Sequence, residues 1–532
     1  MANDNLSRTI NRFLHTQSNN PQVIELGVEI QNQVELNGST AIKYATVLDD
    51  AIISDDGQSG YIVQKDGLAG FRSFYNQEQR IKSDFLNAQS IPLDKTVVKT
   101  AVQKVMELLK LTQPESLDLQ WQACLACLHQ SRYILTGGPG TGKTTTVVRM
   151  MLLYLLLNKD KKIALSAPTG KAANQMMHSI NQQLVEVELP EDIKQSITLT
   201  AQTIHRLLGY NNQTNKLKHN KDNPLPYDLI IIDESSMLDV SLTDALLQAL
   251  KPQAQLLLIG DKNQLPAVDA GNVFADLCRL FTQSINNEVS SNLLEAYINQ
   301  QTDDIKINPS IELQHNYRFS DDSVIAQLCS SLSKQQAKTI LELRDSNVLN
   351  WSNPQIKAEK KDILKTWYGN IPQDETAILL SAVNNGNNSV FELNDLAREI
   401  LYQNNVYYQD MPIMITNNDY TLGVFNGDIG YMSLHDNQWY VNFNIEGENK
   451  RIQLSALHGW QQANAITIHK SQGSEYDHVL IAIPNNDELK HLTNALLYTA
   501  ISRAKKSITL WASEEIIEKI IKTNENRLTF LN

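Results

Sequence analysis

ILTGGPGTGKTTT, residues 134–146, is an apolar run, then a glycine-rich turn, then the opening of a helical pattern. Within it, Gly137 to Thr144 fit the spacing G-x-x-x-x-G-K-[ST] of a phosphate-binding loop. Such a loop, here Gly137, Gly138, Pro139, Gly140, Thr141 and Gly142, turns backbone N–H groups toward phosphate oxygens. The N-terminus of the helix that follows, at Lys143, Thr144 and Thr145, adds its own free N–H groups. Lys143 would neutralise charge on the β and γ phosphates, and the Thr144 hydroxyl would complete a Mg²⁺ shell. The expected ligand is a nucleoside triphosphate.

Outward from this loop the chain repeats one texture. RYILTG, KIALSAP, DLIIID and QLLLIGD are short apolar runs without alternation, separated by helical segments such as TTVVRMMLLYLLL. Strands of that kind are buried on both faces, so the expected class is α/β with parallel sheets. DLIIIDESS ends its strand in Asp233 and Glu234. Asp233 can bind Mg²⁺ through a water, and Glu234 can orient or deprotonate the attacking water. Two carboxylates capping a strand would mean little alone; paired with the loop, they read as the catalytic half of an NTPase. In a doubly wound sheet ligands sit at the strand ends, where APTGKAA places Thr169 and GDKNQLPAVDAG places Asp261 and Gln264. The Gln264 amide there could reach the γ-phosphate and report its loss.

The 532 residues exceed one core, and 42% hydrophobic with 20% charged residues is an ordinary globular balance. A net charge of −13 argues against a nucleic-acid binder, but charge is local: residues 141–180 hold six Lys or Arg against one Asp. The longest apolar run, VVRMMLLYLLL, is too short to cross a bilayer and contains Arg149, so no membrane partner is expected. Four cysteines fit a reducing cytoplasm, and Cys124 and Cys127 in WQACLACL read as small core residues of a helix. TVVKTAVQKVMELLKL (96–111) reads as an amphipathic helix. Composition places an N-terminal domain at 1–115 and a first nucleotide domain at 116–282 with a basic insertion near 211–226. After a polar boundary at 283–310, a second α/β domain spans 309–532, with short strands and Asn-Gly turns at about 405–462 that suggest an inserted β-barrel or meander.

GGPGTGKTT, APTGKAA, TIHRLLG, IIDESSM, GDKNQLPAVDAG, LQHNYRF, IHKSQGSE and LLYTAISRAKK, in this order, resemble the motif series of superfamily 1 helicases. Within it they most resemble the RecD branch, the alpha subunit of exodeoxyribonuclease V; the segment PIMITNNDYTLGVFNGDIG is similar to that branch as well. The resemblance covers roughly residues 116–515. It implies two RecA-like P-loop domains with ATP and Mg²⁺ between them and single-stranded DNA across their tops. It implies that Gln122 reads adenine, with Gln120 as a nearby alternative, and that Arg318 and Arg503 are offered by the second domain to the γ-phosphate. Gly473 and Glu475 would face the nucleotide, while Thr169, His205, Thr467 and His469 would face DNA. It further implies a 5′→3′ helicase acting on DNA ends in double-strand break repair, in a heterotrimer with RecB- and RecC-like subunits. A stand-alone RecD-like helicase and an ATPase-dead structural subunit are the alternatives. The short N-terminal part suits docking to a large partner, and the intact loop, Asp233, Glu234, Gln264 and both arginines count against a dead site.

Overall fold

Apolar runs flanked by helices bury their strands on both faces, and this decides the arrangement of two parallel sheets. A computed structural model of the chain describes residues 12–111, 119–158, 160–185, 187, 201–211, 213–284, 308–318, 323–346, 348–402, 405–419, 421–445, 448–485, 492–524 and 527–531.

The N-terminal unit pairs the helix Pro21–Asn37 with strands β1 (Ala41–Lys43), β2 (Ile53–Ser54), β3 (Ile62–Lys65) and β4 (Leu68–Phe71), in the order β1-β4-β3-β2. Its own core is small: Leu14, Val23, Leu26, Ile30 and Ile62 are buried together. The unit is shorter than the expected 1–115. The helix Lys95–Leu108 buries Val98, Val102 and Val105 with the helices Leu119–Leu128 and Lys143–Leu157, inside the first nucleotide domain. Arg80 on the helix Arg72–Leu86 likewise reaches that domain, with two hydrogen bonds to Asp244 at 2.8 and 2.7 Å. Composition cannot reveal which core an amphipathic helix joins, hence the shift.

The first parallel sheet contains β5 (Arg132–Gly137), β6 (Ile163–Ala167), β7 (Ala201–Thr203), β8 (Leu229–Ile232), β9 (Gln255–Gly260) and β10 (Ser310–Leu313). Its order is β10-β5-β9-β8-β6-β7. Every residue of β5, β8 and β9 is buried, and each fully buried Leu or Ile contributes roughly 1.5–3 kcal/mol. β10 corrects a boundary. It was expected to open the second domain at 309, but it pairs with β5 in parallel, Ser310 opposite Ile134 and Leu313 opposite Gly137. The polar boundary expected at 283–310 lies largely outside the described residues.

The second sheet contains β11 (Leu349–Ser352) and β12 (Ala377–Ser381), then, after the insertion, β18 (Ala465–Thr467), β19 (Tyr476–Ala482) and β20 (Ala504–Trp511). It is parallel throughout, in the order β11-β20-β19-β12-β18. The insertion is β13 (Pro412–Ile415), β14 (Ile429–His435), β15 (Gln438–Ile445), β16 (Glu448–Gln453) and β17 (Trp460–Gln462), wholly antiparallel in the order β16-β15-β14-β13-β17. Among the described residues it is an open sheet, since β16 and β17 lie at opposite edges. The smaller insertion near 211–226 is turn-rich, with antiparallel bridges Asn211–Lys216 and Asn220–Asn223.

The chain finally returns to its start. Leu528 accepts from the backbone of Thr40 and Ala41 (2.9 and 3.0 Å), and the Phe530 N–H donates to Glu78 at 2.9 Å. Glu78 is fully buried, which pushes its carboxyl up to about 8. Among the described residues no helix is long and apolar enough to cross a membrane.

Candidate nucleotide and DNA site

Because β5, β9 and β8 are neighbours, their C-terminal ends bring three loops to one edge of the first sheet. The loop after β5 turns tightly, with Gly140 and Gly142 at φ 75° and 81°. A side chain at Gly140 would strike Arg318 and Asn316 at 2.6 Å, so glycine is required by packing as well as by conformation. Gly142 caps the helix Lys143–Leu157 without any side-chain hydrogen bond, which leaves the first-turn N–H groups available to an anion. Lys143 donates to the carbonyls of Gly137 and Gly138 at 2.7 and 2.9 Å. These two glycines therefore anchor the lysine from behind and do not line the cavity itself.

That cavity, of about 460 Å³, is walled by Gly140 to Thr145 and Pro139 on one side. Asp233, Glu234 and Gln264 form part of its wall, Arg318 reaches it from the segment after β10, and Gly473, Glu475 and Arg503 close it from the far domain. Asp233 holds the Glu234 N–H at 2.8 Å. Glu234 takes a left-handed backbone, φ 51°, a strained geometry of the kind that clusters at functional sites. Burial raises both carboxyls. For Glu234, burial first and the neighbouring Asp233 second push it up to about 7, against the pull of Arg503 and Lys143. A carboxylate so tuned accepts a proton near neutral pH.

The far wall is held by specific bonds. Arg503 is 3% exposed and donates to the carbonyls of Thr499 and Ser474, both at 3.1 Å, and to the Ser502 hydroxyl at 3.0 Å. Arg318 pairs with Glu475 at 2.5 Å, and Lys505 lies 3.8 Å from the same carboxylate. Arg318 follows β10, so it leaves from the first sheet rather than from the second domain as expected. Gly473, at φ 70°, sits where a Cβ would meet Ala172 at 3.2 Å, a close approach between the two halves.

The two glutamines named from sequence are placed differently. Gln120, not Gln122, reaches the phosphate loop, donating to the Thr141 carbonyl at 3.4 Å. Both glutamines are buried and neither lines the cavity, so the bond to the loop is what separates Gln120 from Gln122. Residues two apart on a helix point to different sides, so only one of the pair can face the loop. Tyr317, which lines the cavity and is 61% exposed, was not singled out from sequence. Its one signal was its place beside Arg318 in NYRF.

The four DNA candidates fall at or just after the C-terminal ends of β6, β7 and β18, of which β7 and β18 are edge strands. Thr169 follows β6, and its hydroxyl accepts from the Ala172 N–H at 3.2 Å. His205 follows β7, is exposed, and stands edge-on to Tyr210 with ring centroids 5.7 Å apart. Thr467 ends β18 and accepts from the Lys470 N–H at 3.3 Å, with half-buried His469 in the turn between. Both hydroxyls serve turns, which leaves their protons free to donate. Cys124, Cys127, Cys278 and Cys329 form no disulfide among the described residues and are buried, as core residues.

Comparison with known proteins accounts for both halves of the cleft. Residues 120–270 match the AAA domain family, and residues 462–511 match the UvrD-like helicase C-terminal domain. The RecBCD enzyme subunit RecD of Buchnera aphidicola is 31% identical over 457 residues, 76% of this chain and 74% of that one. The chain belongs to the RecD family. RecD of Haemophilus influenzae is also 31% identical, over 78% of this chain and 71% of its own. The ATP-dependent RecD2 DNA helicase of Deinococcus radiodurans is 29% identical over 70% of this chain but 46% of that one. As a RecD-family chain, this protein is an ATP-dependent DNA helicase of superfamily 1.

Proposed function

We propose that this helicase hydrolyses ATP in the 460 Å³ cleft and moves 5′→3′ along single-stranded DNA. We further propose that it works as the RecD-like subunit of a complex with RecB- and RecC-like chains, processing DNA ends in the repair of double-strand breaks. The observation that carries the reading is one cavity whose wall combines Lys143 and Glu234 with Arg503 and the Arg318–Glu475 pair. Hydrolysis there needs both halves, so nucleotide state and domain closure are linked.

In the proposed step the oxygen of a water forms a bond to the γ-phosphorus, and the bond to the bridging oxygen breaks, leaving ADP. Glu234 takes the proton of the attacking water. Lys143 and the loop N–H groups hold the phosphates, and Arg503 meets charge that spreads over the transferring group. Thr144 and Asp233, a hydroxyl and a carboxylate lining the same cavity, suit a Mg²⁺ ion that completes its shell with phosphate oxygens and water. Bound there, the ion would neutralise phosphate charge. Base recognition would fall to Gln120, which bonds the loop at Thr141, and to Tyr317, which lines the cavity.

Thr169, His205, Thr467 and His469 would grip the DNA strand from the sheet edges, β6 and β7 on one side and β18 on the other. The loop joining β18 to β19 would then touch DNA at one end and nucleotide, through Gly473 and Glu475, at the other. A tailed-duplex assay tests polarity: unwinding from 5′ tails is expected, and unwinding only from 3′ tails would overturn it. Sizing of native lysate tests assembly: migration with two larger chains is expected, and a free monomer with full helicase activity would favour the stand-alone reading.

A further inference from the structure

Behind the wall of the cleft, one buried hydroxyl from the second motor domain reaches across to the first. Tyr498, on the helix Asn494–Ile501, is 3% exposed and donates to Asp261 Oδ2 at 2.8 Å. Asp261, 1% exposed at the end of β9, uses that same oxygen to accept from Gln264 Nε2 at 3.3 Å. Its other oxygen accepts from the Asn263 N–H at 3.0 Å. A carboxylate only accepts here, so the end of Gln264 that faces it must be the NH₂ group. The Gln264 carbonyl, Oε1, is thereby turned the other way. It is buried, finds no donor among the described residues, and belongs to a side chain lining the nucleotide cavity. A buried acceptor of that kind is costly unless a donor arrives.

We propose that Tyr498 is a positioning residue: through Asp261 it fixes which end of the Gln264 amide faces the cavity, so that Oε1 accepts from the attacking water. This inference rests on the ATP-hydrolysis reading and sharpens it. From sequence, the Gln264 amide was expected to report on the γ-phosphate. A carbonyl oxygen would repel phosphate oxygens, whereas water donates to it readily. Burial, and then the charge of Asp261, hold the Tyr498 hydroxyl well above its ordinary range, so it stays a donor. The second domain also holds the backbone of the same loop. The Leu265 N–H donates to Thr499 Oγ1 at 2.9 Å, and Gln472 Nε2 donates to the Leu265 carbonyl at 3.0 Å. When the domains separate, Asp261 loses the Tyr498 bond and the Gln264 amide is free to turn. Gln264 would then be competent only in the closed cleft.

The test uses the full-length protein with single-stranded DNA. Tyr498→Phe keeps the ring and removes only the hydroxyl. The expected result is a loss of about tenfold in kcat, with KM for ATP and equilibrium binding of fluorescent ADP changed by less than about twofold. Gln264→Ala and the double variant Tyr498→Phe/Gln264→Ala should share one kcat, because the hydroxyl acts only through the amide. Wild-type kcat in Tyr498→Phe would overturn the proposal, and so would a double variant slower than Gln264→Ala by the full Tyr498→Phe factor. If Tyr498→Phe melts early, Asp261→Asn enters the same cycle with Gln264→Ala, with the same two outcomes deciding. Wild type and Lys143→Ala run alongside: a wild type that does not hydrolyse ATP would sink the underlying reading, whereas an active wild type matched by Tyr498→Phe would sink only this one.

Discussion

In the first parallel sheet, strands β5, β8 and β9 end in the Lys143 loop, the Asp233–Glu234 pair and Asp261. In the second, the turn between β18 and β19 and the end of the helix Asn494–Ile501 deliver Gly473, Glu475 and Arg503 to the same cavity. One sheet contributes a bare helix N-terminus and raised carboxylates; the other contributes a buried guanidinium and the Glu475 carboxylate, which pairs with Arg318 from the first. The first set can bind phosphate and take a proton with no help from the second. The second set sits on the other domain, so on the proposed mechanism chemistry belongs to one sheet and its timing to the other. Lys143→Ala attacks the first set hardest. DNA-stimulated hydrolysis should fall about 1,000-fold or more, since a cation aimed at phosphate charge is lost. The melting temperature should stay close to wild type, because the lysine is only half-buried and its bonds among the described residues are to Gly137 and Gly138. Retained hydrolysis would break the division of labour at its root.

Glu234→Gln should cost about 100- to 10,000-fold in kcat while ATP binding persists. Its pH profile is the sharper measurement. Burial raises the folded carboxyl to about 7, so the group is protonated below that pH and cannot accept a proton from water. Hydrolysis by the wild type should therefore rise through neutral pH and level off above it, and a flat profile from roughly pH 5 to 9 would exclude Glu234 as the base. Arg503→Lys tests the second sheet. It keeps the charge but loses the fork that reaches Thr499, Ser474 and Ser502, so a loss of about 100-fold is expected in hydrolysis with little change in DNA affinity.

What could be read from sequence alone follows the range of each interaction. The phosphate loop was legible because its parts lie within nine residues and each has one physical task. The parallel sheets were legible from unbroken apolar runs. The membership of β10 in the first sheet was not, since nothing local in SIEL says whether it pairs with Ile134 or opens a new domain. Gln120 and Gln122 both sit in a helix whose polarity barely varies around its axis, so the facing residue was decided only by packing against Gly142. Tyr498 stood inside a quoted motif with no role, because its partner Asp261 is 237 residues away. Pairings that fold the two motors together are invisible to any local pattern.

The smallest effect belongs to the pair that bridges the comparison. Arg318 leaves the first sheet and Glu475 the second, and they meet at 2.5 Å with side chains 28% and 22% exposed. An ion pair that wet contributes at most about 1 kcal/mol, so it cannot hold the cleft together. It can hold Arg318 away from the phosphate until closure offers a better anion. Glu475→Gln removes the holding charge, so Arg318 should engage nucleotide earlier. DNA-independent hydrolysis should then rise about two- to fivefold, the equivalent of releasing such a pair, while the DNA-stimulated maximum changes little. Stepping along DNA should suffer instead, read as more ATP consumed per base pair unwound. If Glu475→Gln lowers hydrolysis with and without DNA alike, Glu475 serves the chemistry directly, and the division between a chemical sheet and a timing sheet fails at this residue.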